Sequence, residues 1–314
     1  MSSGDTRGGD DQSNEDFGEL RRLQITAKVA GIQVPVVVVP KECQVDLHGM
    51  RFHYLDWGGT GRPIVFLHGG GLNAHTFDMV CLALHQRYRC LALDQRGHGD
   101  SEWSPTGDYG YEAMAADLLS FIDRLALDKL MLVGMSMGGQ TSIAFATSNP
   151  DRLGALILID TGPYLHPAGV AKIREFMSQP PVLDTVDDFV ARALAFNPHR
   201  QARLLRMSLL NNLRQLPDGR WTWKWDPRRW TLGREDQLRL RRAMWDSLDR
   251  ISCPTLIVRG AGSDVLLEKD ARQLAARFPD GRYVTVERAG HTVQGDNPAG
   301  LAHELLRFCE EIRY

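Results

Sequence analysis

Short apolar runs recur along the chain at Pro63–Leu67, Arg89–Leu93, Leu130–Val133, Leu156–Ile159 and Pro254–Val258. Their apolar residues are consecutive rather than alternating, which is the pattern of strands buried on both faces. The segments between them have helical spacing. Tyr111–Leu125 places Met114, Leu118, Leu119, Ile122 and Leu125 on one side, and further helices are expected at His75–Gln86, Gln140–Ser148, Glu268–Phe278 and Pro298–Ile312. A last strand is expected at Arg282–Glu287. Strands alternating with helices predict an α/β protein with a mostly parallel central sheet covered by helices. Ahead of them, Gln44–Trp57 alternates polar and apolar on both sides of His48-Gly49, which predicts an antiparallel hairpin. Val34–Pro40 is β-branched but bracketed by prolines, an edge strand or an arm across a neighbour.

The rhythm breaks after Asp160. Residues 161–235 carry prolines, helical pieces and four tryptophans, Trp221, Trp223, Trp225 and Trp230. This segment is expected to be a helical cap inserted into the sheet domain, whose two parts are residues 21–160 and 236–314. The tryptophans are expected to pack within it, since aromatic side chains are heavily used for burial. Residues 1–20 hold six acids and one arginine with little apolar surface, so they are expected to be a disordered tail.

Composition narrows the partners. The chain has 314 residues and a formal net charge of -2, which gives no basic field for nucleic acid. The five cysteines form no C-x-x-C pair or Cys/His cluster, so neither a disulfide framework nor a metal centre is expected. The N-terminus lacks a secretory apolar core, and no apolar run is long enough to span a bilayer. A cytoplasmic protein acting on a small molecule without a cofactor is the expectation.

The candidate chemistry gathers at strand ends. His68–Gly71, Asp94, Ser136 and Asp160 all follow apolar runs, and open α/β sheets place their sites at the carboxyl ends of strands. Gly134–Gly138 reads G-x-S-x-G between a strand and a helix, a tight turn that projects Ser136. A serine hydroxyl needs a base, and the base an orienting acid. His291 follows the final strand and Asp264 the strand before it, giving the order Ser136, Asp264, His291. Asp160 is the rival acid, its bland reading a cap at the start of the insertion. Met137, the residue after the serine, supplies one backbone N–H for an oxyanion.

With Leu67–Gly71, Asp94–Ser101, Gly134–Gly138, Arg259–Asp264 and Ala289–Thr292 in this order, the chain resembles the α/β-hydrolase superfamily across residues 45–312. The resemblance favours Asp264, in its Gly-x-x-Ser-Asp pattern, as the acid. It makes Gly70 the second oxyanion donor, with Gly71 its alternative, and it gives His68, Asp94 and His98 supporting roles. Dehalogenases and epoxide hydrolases of that superfamily have aspartate where this chain has Ser136. The implied activity is serine-dependent hydrolysis of a carboxylic ester of small or medium apolar size. Carbon–carbon hydrolysis of a vinylogous diketone and lactone hydrolysis are alternatives on the same machinery. A ligand receptor on the same fold is the non-enzymatic one. Residues 199–242 contain twelve Lys and Arg against four acids. Most are expected to be solvated, but one or two facing the site would select a substrate bearing a carboxylate.

Overall fold

The computed structural model describes residues 18–198, 200–230 and 234–314; residues 1–17, read above as most of a tail, lie outside them. Helix α1 (Glu19–Ala30) leads into the hairpin β1 (Lys41–Leu47) and β2 (Met50–Asp56), followed by β3 (Pro63–Leu67), α2 (Asp78–Leu84), β4 (Arg89–Leu93) and α3 (Tyr111–Arg124). Next come β5 (Leu130–Met135), α4 (Met137–Ser148) and β6 (Leu153–Ile159). The insertion contains α5 (Pro167–Ser178), β7 (Val182–Leu183), α6 (Val186–Phe196), α7 (Ala202–Asn212), β8 (Leu213–Gln215) and β9 (Trp221–Trp223), and α8 (Arg234–Asp246) leads back to the sheet. The sheet resumes with β10 (Thr255–Gly260), α9 (Glu268–Ala275) and β11 (Gly281–Val286), and the chain closes with α10 (Val293–Asp296) and α11 (Pro298–Glu311).

Eight strands form one sheet in the order β1-β2-β4-β3-β5-β6-β10-β11. The pairs β1–β2 and β2–β4 are antiparallel, and the remaining neighbours are parallel. The continuous apolar runs are explained by burial on both sides. Ile64, Phe66, Met131, Val133, Ile157 and Ile159 enter the core shared with α1, α2 and α11. Their neighbours Val65, Leu67, Leu130, Leu132, Leu156 and Leu158 enter the opposite core with α3, α4 and α9. The hairpin turns at His48 and Gly49, whose φ values of 52° and 75° match a two-residue turn twisted like its strands.

Two expectations need correcting, and of the two readings of Val34–Pro40 the strand is excluded. Helix α1 begins inside the segment read as a tail. Only Leu23 and Ala27 of it are buried, one turn apart, which is too sparse a stripe to register as a period. Val34–Pro40 forms no strand and lies as an arm. The insertion is not purely helical: β7, β9 and β8 make a small antiparallel sheet. Trp221 and Trp223 of that sheet pack on a separate core of Phe189, Val190, Leu205 and Leu209, with the Trp223 ring 4.8 Å edge-on from Phe189. Trp225 is buried, and the side chain of Trp230 lies outside the described residues. No helix among the described residues is long and apolar enough to cross a membrane.

Candidate active site

Strand β5 ends at Met135, and the next residue carries the hydroxyl. Ser136 has φ 51° and ψ -114°, a conformation that non-glycine residues rarely adopt and that costs of order 1–3 kcal/mol. The flanking glycines are required by close approach. A Cβ on Gly134 would stand 2.5 Å from the Gly138 carbonyl oxygen, and one on Gly138 would stand 2.2 Å from that of Leu67. Helix α4 starts directly after the serine, and the Gly138 N–H donates to the His68 carbonyl at 3.1 Å. That bond ties the glycine loop to the serine turn. Thr161 Oγ1 adds a second tie, donating to the Ser136 carbonyl at 2.8 Å.

His291 Nε2 lies 3.1 Å from Ser136 Oγ. Its Nδ1 lies 2.7 Å from Oδ2 of Asp160, a fully buried carboxylate. The sequence expectation that Asp264 orients the imidazole is therefore corrected. Asp264 points outward, its side chain 49% exposed, and accepts a hydrogen bond from Lys172 Nζ at 2.6 Å. The cause is packing of α5 on this loop. Gly169 lies so close that a Cβ there would be 2.3 Å from the Asp264 carbonyl oxygen, and Lys172 stands one turn on along the same helix face. The residue of the loop that turns inward is Ser263. Its Oγ donates to Asp160 Oδ2 at 2.5 Å, while the Gly260 N–H donates to Oδ1 at 3.2 Å. Asp160 itself has φ 46°, a region aspartate tolerates better than most residues.

Gly260 matters to the imidazole as well. A Cβ there would be 2.1 Å from the Gly290 carbonyl oxygen, so the bare strand end lets the histidine loop fold across β10 towards β5. Asp296 then fastens that loop. It accepts from the Gly290 N–H at 3.0 Å and from Thr292 Oγ1 at 3.3 Å.

A cavity of about 290 Å³ opens beside Ser136 and His291. Gly70, Gly71 and Met137, the expected oxyanion residues, all line it. Gly71 has φ 77°, and a Cβ on it would be 2.7 Å from Met177 Cε. His68 accepts at Nε2 from the Gln95 N–H, so its Nδ1 carries the proton donated to the Gly69 carbonyl. That leaves it bracing the loop. Asp94 likewise braces, accepting from His53 Nδ1 at 2.8 Å, the Ala74 N–H at 2.6 Å and the Asp100 N–H at 2.9 Å. His53, Asp94 and Asp100 could in principle gather at a cation, but these hydrogen bonds already engage the Asp94 carboxylate. The five cysteines are free thiols, four of them buried. Burial pushes the Cys253 and Cys309 thiols up to about 11, which keeps them protonated and unreactive near neutral pH.

Known proteins resemble this chain in sequence and fold. The model of the alpha/beta hydrolase family matches residues 64–304. Esterase Rv0045c of Mycobacterium tuberculosis is 33% identical over 309 residues, spanning 94% of this chain and 96% of the relative. A 3-hydroxybutyrate-oligomer hydrolase of Cupriavidus necator is 30% identical over 269 residues, 82% of this chain and 91% of the relative. The crystal structure of Esterase Rv0045c superposes with a TM-score of 0.75 at 31% identity, covering 94% of this chain and 99% of that one. The chain belongs to the alpha/beta hydrolase family and is a hydrolase.

Proposed function

We propose that the protein hydrolyses carboxylic esters of small to medium size through an acyl-enzyme on Ser136. One observation carries this reading: the unbroken relay from Ser136 Oγ to His291 Nε2, 3.1 Å, and from His291 Nδ1 to Asp160 Oδ2, 2.7 Å. Both separations are within hydrogen-bond reach, which a nucleophile and its base need before any substrate arrives. The names of the two relatives, an esterase and an oligomer hydrolase, support ester cleavage.

In this mechanism Ser136 Oγ bonds to the ester carbonyl carbon while its proton passes to His291 Nε2. The carbonyl π electrons move to oxygen, which takes hydrogen bonds from the N–H groups of Gly70 and Met137. Collapse of this intermediate breaks the carbon–oxygen bond to the alcohol, which leaves with the proton from His291. Water repeats the sequence, giving up its proton to His291 as it releases the acid from Ser136. Asp160 fixes the imidazole with its proton on Nδ1 and stabilises the imidazolium. The walls set the substrate's size and polarity. The cavity is at the small end of ligand sites, and Met114, Met135, Val170, Ile173, Phe176 and Met244 line it.

A nitrophenyl butyrate assay tests the reading. The expected result is a burst of one nitrophenolate per active site, then steady turnover, with Ser136→Ala lowering turnover by roughly 10⁴- to 10⁶-fold. Full activity in Ser136→Ala would overturn it.

A further inference from the structure

The cavity beside Ser136 is lined by three arginines, Arg174, Arg200 and Arg241, and by no aspartate or glutamate among the described residues. The whole chain has 37 basic and 39 acidic residues, so the imbalance belongs to the cavity and not to the protein. The larger groove next to it shows the ordinary mixture, with Glu19, Asp78, Glu175, Asp264 and Asp296 among its basic residues. Arg174 and Arg200 come from the insertion, and Arg241 from α8, the helix that leads back to the sheet.

Arg200 is partly compensated. Its Nη2 donates to the Gly295 carbonyl at 3.1 Å, and its Nε lies 3.8 Å from Asp296 Oδ1. Arg241 differs. It is half-buried on α8, beside Leu240 and Met244 on the same cavity wall, and makes no hydrogen bond or ion pair with a described residue. Its neighbour Arg242, facing outward, has Asp246 at 3.9 Å. A half-buried arginine that shares a cavity with Arg200 and has Leu240 and Met244 beside it lacks a counter-charge that a ligand can supply. Its planar fork of donors matches a carboxylate, two N–H groups to two oxygens.

We infer that Arg241 selects esters whose acyl group ends in a free carboxylate, such as monoesters of short dicarboxylic acids. This rests on the serine-hydrolase reading of Ser136 and adds the substrate class to it. The size of the cavity limits the spacer between scissile carbonyl and carboxylate to a few carbons. The same field disfavours esters bearing an ammonium group.

The test compares mono-4-nitrophenyl glutarate with 4-nitrophenyl pentanoate, which differ at the chain end chiefly in charge. The wild-type protein is expected to give a kcat/KM about tenfold or more higher for the glutarate ester. Arg241→Gln is expected to lower the charged-to-neutral ratio by about 10- to 100-fold, the range of one lost charge-assisted hydrogen-bond pair. Arg241→Lys, which keeps the charge but not the fork, should retain part of the ratio, and Arg241→Glu should invert it. Far-ultraviolet circular dichroism identifies any variant that fails to fold, and the Lys and Glu variants then decide. A ratio unchanged by all three substitutions overturns the inference while leaving ester hydrolysis intact. Failure of wild-type protein to cleave either ester counts instead against the hydrolase reading on which the inference stands.

Discussion

Two neighbouring strand ends each present an aspartate, and the chain treats them oppositely. The residue after β6, Asp160, is wholly buried and accepts three hydrogen bonds, from His291, Ser263 and the Gly260 amide. The loop after β10 carries Asp264 on its outer side, paired with Lys172 at the surface. Yet the two loops are not alternatives. The β10 loop contributes Ser263 to the carboxylate that the β6 loop supplies, so one acid is held by both. The comparison teaches that strand position tells where a loop arrives, whereas the direction of one side chain decides which residue of that loop meets the imidazole.

The largest expected effect separates the two ends outright. Asp160→Asn keeps the shape but can present an amide N–H₂ to His291 Nδ1, which forces the proton onto Nε2. That nitrogen then cannot accept the Ser136 proton. A fall in kcat of about 10⁴-fold is expected, with the fold retained. Steady-state kinetics on a nitrophenyl ester, beside a circular dichroism spectrum, checks this. A loss below tenfold would mean that another carboxylate orients the imidazole, and the comparison would break.

A smaller effect is expected at Ser263, which acts through Asp160 and is a positioning residue. Ser263→Ala removes the 2.5 Å bond to Oδ2 and the acceptor for the Val265 N–H at 3.1 Å. Hydrogen bonds to charged groups contribute about 1.5–3 kcal/mol, and part of that loss should reach the transition state as a roughly tenfold lower kcat with KM little changed. Ser263→Thr, which restores the hydroxyl, should recover most of it. Equal kcat in the Ala and Thr variants would reduce Ser263 to a loop residue.

Much of this was legible in the chain itself. The strands are buried on both faces, so their apolar runs are continuous and easily read, and the G-x-S-x-G turn requires its glycines for contacts as close as 2.2 Å. Ser136 stood out because it follows such a run inside a G-x-S-x-G turn, and His291 because it sits in the loop after the last strand. The acid did not, because both aspartates satisfy the same local pattern. What distinguishes them is Gly169 pressing on the loop from α5, a contact between residues 95 positions apart that no periodicity encodes. Nor did the pattern disclose α1, whose buried surface is two residues, or β7–β9, whose strands are two or three residues long. Arg241 was visible only as one of twelve charges, since its direction depends on how α8 lies over the sheet.

The smallest effect bears hardest on the comparison, because it tests the residue that sequence order favours. Asp264→Asn removes a negative charge from an ion pair whose partners are 66% and 49% exposed. Lys172 Nζ holds its pKa above the ordinary lysine value through this hydrogen bond and charge, but solvent and salt screen pairs so open to water. The hydrogen bonds that join Ser136, His291 and Asp160 involve neither partner. The expected kcat/KM is therefore within about twofold of wild type at 0.15 M salt. The double variant Asp160→Asn/Asp264→Asn should be no slower than Asp160→Asn alone. If it is slower by another factor of ten or more, Asp264 must reach the imidazole when Asp160 cannot serve it, and the two strand ends would then be a working acid and its reserve.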